Sequence, residues 1–271
     1  MYQSILKFWF VFKLTWMERL AYRVNFVMEI ASGILSSLIV IFLWMAIYRS
    51  AGKEAIGGYS IREMVTYLLG AGLINSFILT TAENPETSQN IQDGTLSNLL
   101  IQPVSPYGIW FFRDLGGKIF FFTLGLSGYV VVCLFFYRYL VYTLNFEYFF
   151  FFLLSLLLAS LLQFFMFQGF SLLSFWVENT YGIRFTMRVI MEVLAGAIIP
   201  LSFFPGILQK ISLLLPFQFL IYLPMNIYLG KIPLIQAPLE LLKEAGWMTG
   251  FGLLNLFIWR RGVRQYVAMG D

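Results

Sequence analysis

The chain has 271 residues, 59% of them hydrophobic and only 12% charged, far from the roughly 25% charged residues of a soluble domain, and its mean hydropathy is +0.78. It contains no histidine and a single cysteine, Cys133, which excludes histidine-based triads, histidine–metal sites, zinc clusters and an intrachain disulfide. Eighteen Lys and Arg against fourteen Asp and Glu leave a small positive excess that fits loops at a membrane surface better than nucleic acid, so no nucleic-acid partner is expected.

A helix needs roughly 20 apolar residues to cross about 30 Å of hydrocarbon. At the start of the chain Ile5, Phe8, Phe12, Trp16 and Leu20 recur at helical spacing, with Arg19 intruding. The stripe predicts an interfacial helix over about 3–22, the alternative being a plain extension of the first span. Uncharged runs follow at Ile30–Tyr48, Met64–Ala82, Ile119–Tyr137 and Tyr148–Val177, giving four spans. Val193–Gln209, a shorter run holding Pro200 and Pro205, and Ala245–Trp259, extended back to Leu241, supply a fifth and a sixth. Ile211–Gly230 is also uncharged, but Pro216 and Pro224 would leave backbone groups unpaired in lipid. The region 205–238 is therefore expected to form short re-entrant helices. With the amino terminus inside, eleven Lys and Arg fall on the cytoplasmic side and seven on the other, so both termini are expected in the cytoplasm. The fold class is all-α: one polytopic membrane domain over 1–271 with six transmembrane helices, an amino-terminal interfacial helix and short re-entrant helices before the last span.

Chemistry inside a membrane needs ionisable groups held at depth, and these are scarce. Glu29 lies early in the first span, and Glu192 follows Arg188 by four residues, on one helix face. Both read as snorkelling or paired interfacial charges. No GxxxxGK[ST] loop is present to cradle nucleotide phosphates, and no internal repeat suggests a carrier built from symmetric halves. Energy for uphill movement must then come from elsewhere.

The most distinctive stretch is the loop at about 83–106. Asn84 can cap a helix with Pro85 at its first position, Gly94 suits a left-handed terminus, and Thr95 can cap a second short turn. Leu96, Leu99 and Leu100 fall at i, i+3 and i+4, an apolar ridge on a segment facing the cytosol. Another protein covers that ridge, or it packs under the chain's own spans or against lipid headgroups. Pro103 and Pro106 stop the helix.

From Asp93 to Ser105 the loop resembles the six-span permease subunits of type-2, exporter-like ATP-binding-cassette transporters, in particular the small bacterial drug- and viologen-export branch. The resemblance continues through Ser174-Phe175-Trp176, the proline-spaced stretch from Ile199 to Gly230, and Trp259-Arg260-Arg261-Gly262, Tyr266 and Gly270. It implies a permease in the bacterial inner membrane, paired with a second copy of itself or a similar permease, in contact with membrane lipids, and driven by a cytosolic ATPase subunit. ATP and Mg would be bound by that ATPase, and no cofactor by this chain. By the same resemblance Ile91, Asp93, Gly94, Leu96, Leu99, Leu100 and Pro103 form the ATPase-coupling segment, and Glu178, Arg184 and Arg188 a smaller secondary contact. The cargo would be an amphipathic small molecule, drug or lipid, with no substrate-contacting residue identified. The rival readings are an integral membrane enzyme acting on lipid and a small ion-coupled carrier.

Overall fold

The computed structural model describes residues 2–21, 23–82, 84–142 and 145–266. The side chains of Ile5 and Glu29, and the residues Glu83 and Gly270, lie outside the described residues. Apolar, glycine-punctuated sequence folds here as helices because only a helix satisfies its own backbone groups in an apolar surrounding. Among the described residues the sole strands are β1 (Ala55–Ile56) and β2 (Tyr59–Ser60), an antiparallel hairpin turned at Gly57 and Gly58, both with positive φ.

Helix α1 (Tyr2–Ala21) precedes α2 (Arg23–Ala51), and after the hairpin comes α3 (Ile61–Ile78), started by a reciprocal capping box between Ser60 and Glu63. Two short helices, α4 (Glu86–Gln92) and α5 (Leu96–Leu100), lead to α6 (Pro106–Phe135) and α7 (Phe146–Leu172). The chain continues with α8 (Tyr181–Leu194), α9 (Gly206–Leu214), α10 (Tyr222–Tyr228) and the final α11 (Ala237–Gln265). Three stretches, Ala31–Ala51, Pro106–Phe135 and Phe146–Phe175, are long and apolar enough on their own to cross a membrane.

Contacts fix the helix directions. Helices α7 and α11 run parallel, with Ser155 Oγ donating to Glu244 Oε2 at 3.1 Å and Asn255 Nδ2 to the Phe165 carbonyl at 2.6 Å. Helix α3 runs antiparallel to α6, with Gly72 against Tyr129 and Thr81, just beyond α3, bonded to Asp114. Helix α1 follows α6 in parallel, stacking Phe8 on Phe112 and setting Trp16 edge-on to Phe120, with ring centroids 4.8 and 5.4 Å apart. Helix α7 runs antiparallel to α6, with Phe111 against Phe164 and Lys118 bonded to the Ser160 carbonyl, so from α2 onward the long segments alternate between a hairpin end and a loop end where α4 and α5 lie, whereas α1 and α2 both run toward the hairpin end.

The expected fifth span is corrected. Val193–Gln209 is not a continuous helix: α8 begins at Tyr181 and stops at Leu194. Gly196 takes φ +81, its N–H reaches the Val193 carbonyl, and the Ala197 N–H reaches that of Glu192, a complete Schellman stop. The uncharged run does not coincide with this helix because Arg184, Arg188 and Glu192 lie within it, at successive four-residue steps along one stripe. Beyond the stop, the proline-rich stretch is broken into α9, a 3-10 turn at Pro216–Phe219 and α10.

At the hairpin end the chain is stitched by tyrosines. Tyr48 Oη donates to the Tyr59 carbonyl at 2.6 Å, Tyr59 Oη to Asn226 Oδ1 at 2.5 Å, and Tyr67 Oη to the Gly196 carbonyl at 2.7 Å. Lys231 caps the group, 2.9 Å from Glu63 Oε1 and 4.4 Å above the Tyr59 ring. Burial opposes the Glu63 charge, but the bonds from Lys231 and Ser60 outweigh it and hold this carboxyl below its ordinary value.

Candidate functional site: the loop seat

Helix α4 begins at Glu86, one residue later than expected, so Pro85 takes the cap position and no side chain caps the turn; Asn84, one residue earlier, makes a local bond instead, its Oδ1 accepting from the Glu86 N–H at 3.2 Å. Gly94 adopts φ +75 as its position required. Thr95 precedes α5, but its hydroxyl turns back to Asn90 Oδ1 at 3.2 Å instead of capping the turn. Pro106 stands at the first position of α6, where Ser105 Oγ accepts from the Gly108 N–H at 3.1 Å.

The α4 half of the loop is strapped to four other elements. Arg113 on α6 reaches Glu86 at 3.1 Å and, across to α1, Glu18 at 3.6 Å. Burial pushes the Glu86 carboxyl up, with Arg113 acting against that rise. Thr87 Oγ1 donates to Gln168 Oε1 on α7 at 3.1 Å. The Arg184 guanidinium on α8 donates to Ser88 Oγ, and Gln92 Nε2 to the Glu178 carbonyl. Just inside this layer, Lys118 is wholly buried, 2.7 Å from Asp114 and 2.9 Å from the Ser160 carbonyl, while Thr81 Oγ1 donates to Asp114. A buried ion pair survives only when its remaining bonds are supplied, and here α3, α6 and α7 supply them together.

The α5 half sits on an aromatic seat. Leu96, 0% exposed, enters a cluster with Ile91, Trp110, Phe164 and Leu172. Trp259 lies 5.3 Å from Tyr107 and 5.9 Å from Phe175, and Tyr266 lies 6.3 Å from Phe175. The Ser97 N–H donates to Tyr266 Oη at 3.3 Å. Gly262 lets α11 press directly on the Phe175 ring, leaving no room for a Cβ. The family-like pieces at 93–105, 174–176 and 259–266, remote in sequence, thus meet in one place.

The expected leucine ridge is divided. Ile91, Gly94 and Leu96 are buried, and Leu99 is half-buried against the same cluster. Leu100 is 41% exposed and Ile101 83% exposed, beside exposed Asp93, Asn98 and Pro103. In the second loop Glu178 is exposed, but Arg184 is only 2% exposed. Arg184 is therefore not available as a direct contact for a partner and holds α4 from within. Arg188 pairs with Glu192 at 3.6 Å. Sequence reasoning missed Arg113, the Asp114–Lys118 pair and the role of α11 in the seat. The four-residue spacing of Asp114 and Lys118 was the available signal for one of them.

Residues 34–270 match the sequence profile of the family described as ABC-2 family transporter protein. The chain belongs to that family. It is accordingly a multi-pass membrane permease of ABC-transporter type, a kind of membrane component that generally pairs with an ATPase subunit. No curated protein matches the chain, and no solved structure does.

Proposed function

We propose that the chain is one half of an exporter in a bacterial inner membrane, moving an amphipathic small molecule, drug or lipid with energy from ATP hydrolysed by a separate cytosolic ATPase. A second copy, or a similar permease, completes the pathway. The alternation of the long segments between two ends supports six crossings with the loop end and both termini cytoplasmic, in line with the excess of Lys and Arg on that side.

The observation that carries this reading is the divided loop. Its inner half is locked to α6, α7 and α8 and to Tyr266 after α11, while its outer lip leaves Leu100 and Ile101 exposed. An exposed apolar lip on a fixed base is shaped for a partner groove. Burying each such side chain is worth roughly 1.5–3 kcal/mol before ordering costs, enough to keep a lever attached. Exposed Glu178, tied to α4 through Gln92, supplies the smaller second contact. Force on the lip passes through α4 and Arg184 into α8.

Leu100→Asp with Ile101→Asp tests this directly. The variant is expected to insert and purify normally while losing co-purification with the ATPase, stimulated hydrolysis and transport. Undiminished transport would overturn the assignment.

A further inference from the structure

Helix α1 carries the side chains of a segment that enters one face of a bilayer. Running from the loop end, it exposes Lys7, then Trp9 and Phe10, then Lys13, Met17 and Leu20. Charge first, aromatic rings next and apolar side chains beyond is the order that a membrane interface selects, and the Lys13 stem is long enough to return its ammonium toward the headgroups. The opposite face of α1 is taken up by α6, where Phe8 and Trp16 meet Phe112 and Phe120. The flank between these faces does not close on the loop. A groove of about 360 Å³ separates them, lined by Lys7, Phe10 and Val11 of α1, Gln102 and Val104 beside the lip, and Ile109 of α6. That volume lies inside the range of roughly 300–1,000 Å³ typical of small-molecule sites.

The lining is four apolar side chains, one amide and one cation, with no acid. Glu18 of α1 and Glu86 of the loop are both held by Arg113, at 3.6 and 3.1 Å, and Glu18 stands about 16 Å along α1 from Lys7. The occupant must therefore bring apolar surface for the floor and negative charge for the rim. A small inorganic anion would leave the floor wet, and a zwitterionic head would bring a second ammonium to Lys7. Phe10 lines the groove and is also 65% exposed, so the groove opens sideways onto the apolar face of α1. That opening admits a lipid from the bilayer.

We infer that this groove binds an anionic phospholipid, its phosphate against the Lys7 ammonium and the Gln102 amide and its acyl chain over Phe10, Val11, Val104 and Ile109. Anionic lipids of the cytoplasmic leaflet gather at juxtamembrane lysines, and the orientation proposed above is what puts the groove within their reach. The inference rests on that reading and deepens it. Gln102 directly follows Ile101, so the bound lipid braces the docking lip against α1.

The test uses the full-length protein in non-ionic detergent micelles with no ATPase present, titrated by calorimetry with short-chain phosphatidylglycerol, short-chain phosphatidylcholine and soluble glycerophosphoglycerol. Phosphatidylglycerol is expected to bind at least about fivefold more tightly than phosphatidylcholine. Lys7→Gln is expected to weaken phosphatidylglycerol binding about fivefold, the share of one basic residue beside a charged headgroup, whereas Lys7→Arg retains it. Lys7 is exposed, so both variants keep the thermal midpoint. Lys13→Gln, on the same helix but outside the groove, controls for diffuse surface attraction and is expected to leave the affinity unchanged. Equal affinity of the wild type for the two lipids, equal losses in Lys7→Gln and Lys13→Gln, or glycerophosphoglycerol binding as tightly as the lipid overturns the proposal. A micelle has no leaflets and this one holds no motor, so the outcome is independent of the orientation and of the Leu100 and Ile101 result.

Discussion

The two ends of α3 are held by different chemistry. At the hairpin end, tyrosine hydroxyls bond to carbonyl and amide oxygens and the Glu63–Lys231 ion pair lies at the rim. At the loop end, Thr81 just beyond the helix meets a buried carboxylate and ammonium, and Arg113 and Arg184 reach across to a separate short helix. Neutral hydrogen bonds between large rings define one packed arrangement at modest electrostatic cost. Charged side chains on long stems can hold a neighbouring element firmly while their partners are exchanged. The first end is built as a closure, the second as a joint.

The largest expected effect comes from breaking the joint's seat. Leu96→Asp places a carboxylate in the buried aromatic cluster and is expected to cost about 4 kcal/mol or more, read as a fall in thermal midpoint and in purified yield. The exposed variant Ile101→Asp leaves both unchanged, which separates seat from lip. Next is Gly262→Ala, whose methyl meets the Phe175 ring and should cost about 1–3 kcal/mol, with Phe175→Leu restoring part of the midpoint. At the closure, Tyr59→Phe strands Asn226 Oδ1 and is expected to cost about 1–3 kcal/mol without altering ATPase co-purification. The smallest effect is that of Glu63→Gln, below about 1 kcal/mol because the pair with Lys231 is partly exposed. Its sign with pH is fixed. The Glu63 carboxyl is held below its ordinary value in the folded chain, so its contribution is present above that value and disappears as pH falls through the lowered one. Midpoints of wild type and Glu63→Gln should therefore converge in acid.

Helix content and the loop's punctuation were legible because they rest on local rules. Gly94 and Gly196 both take the left-handed conformation that a stop requires, and only Gly94 was recognised, since the Gly196 stop lay inside a stretch chosen for lacking charge. A filter built on charge sees Arg184, Arg188 and Glu192 as the end of a span, whereas tertiary structure turns that stripe inward and gives it partners. The ridge of Leu96, Leu99 and Leu100 was visible as spacing. Which leucine turns inward was not, because the answer depends on Trp259 and Tyr266, well over a hundred residues away.

The division of labour within the loop has an evolutionary corollary. Ile91, Leu96 and Leu99 answer to the chain's own interior, whereas the exposed run from Leu100 to Pro103 is free of that packing. On the proposed docking, a change of motor requires rewriting that exposed run alone, leaving the seat beneath it under separate selection.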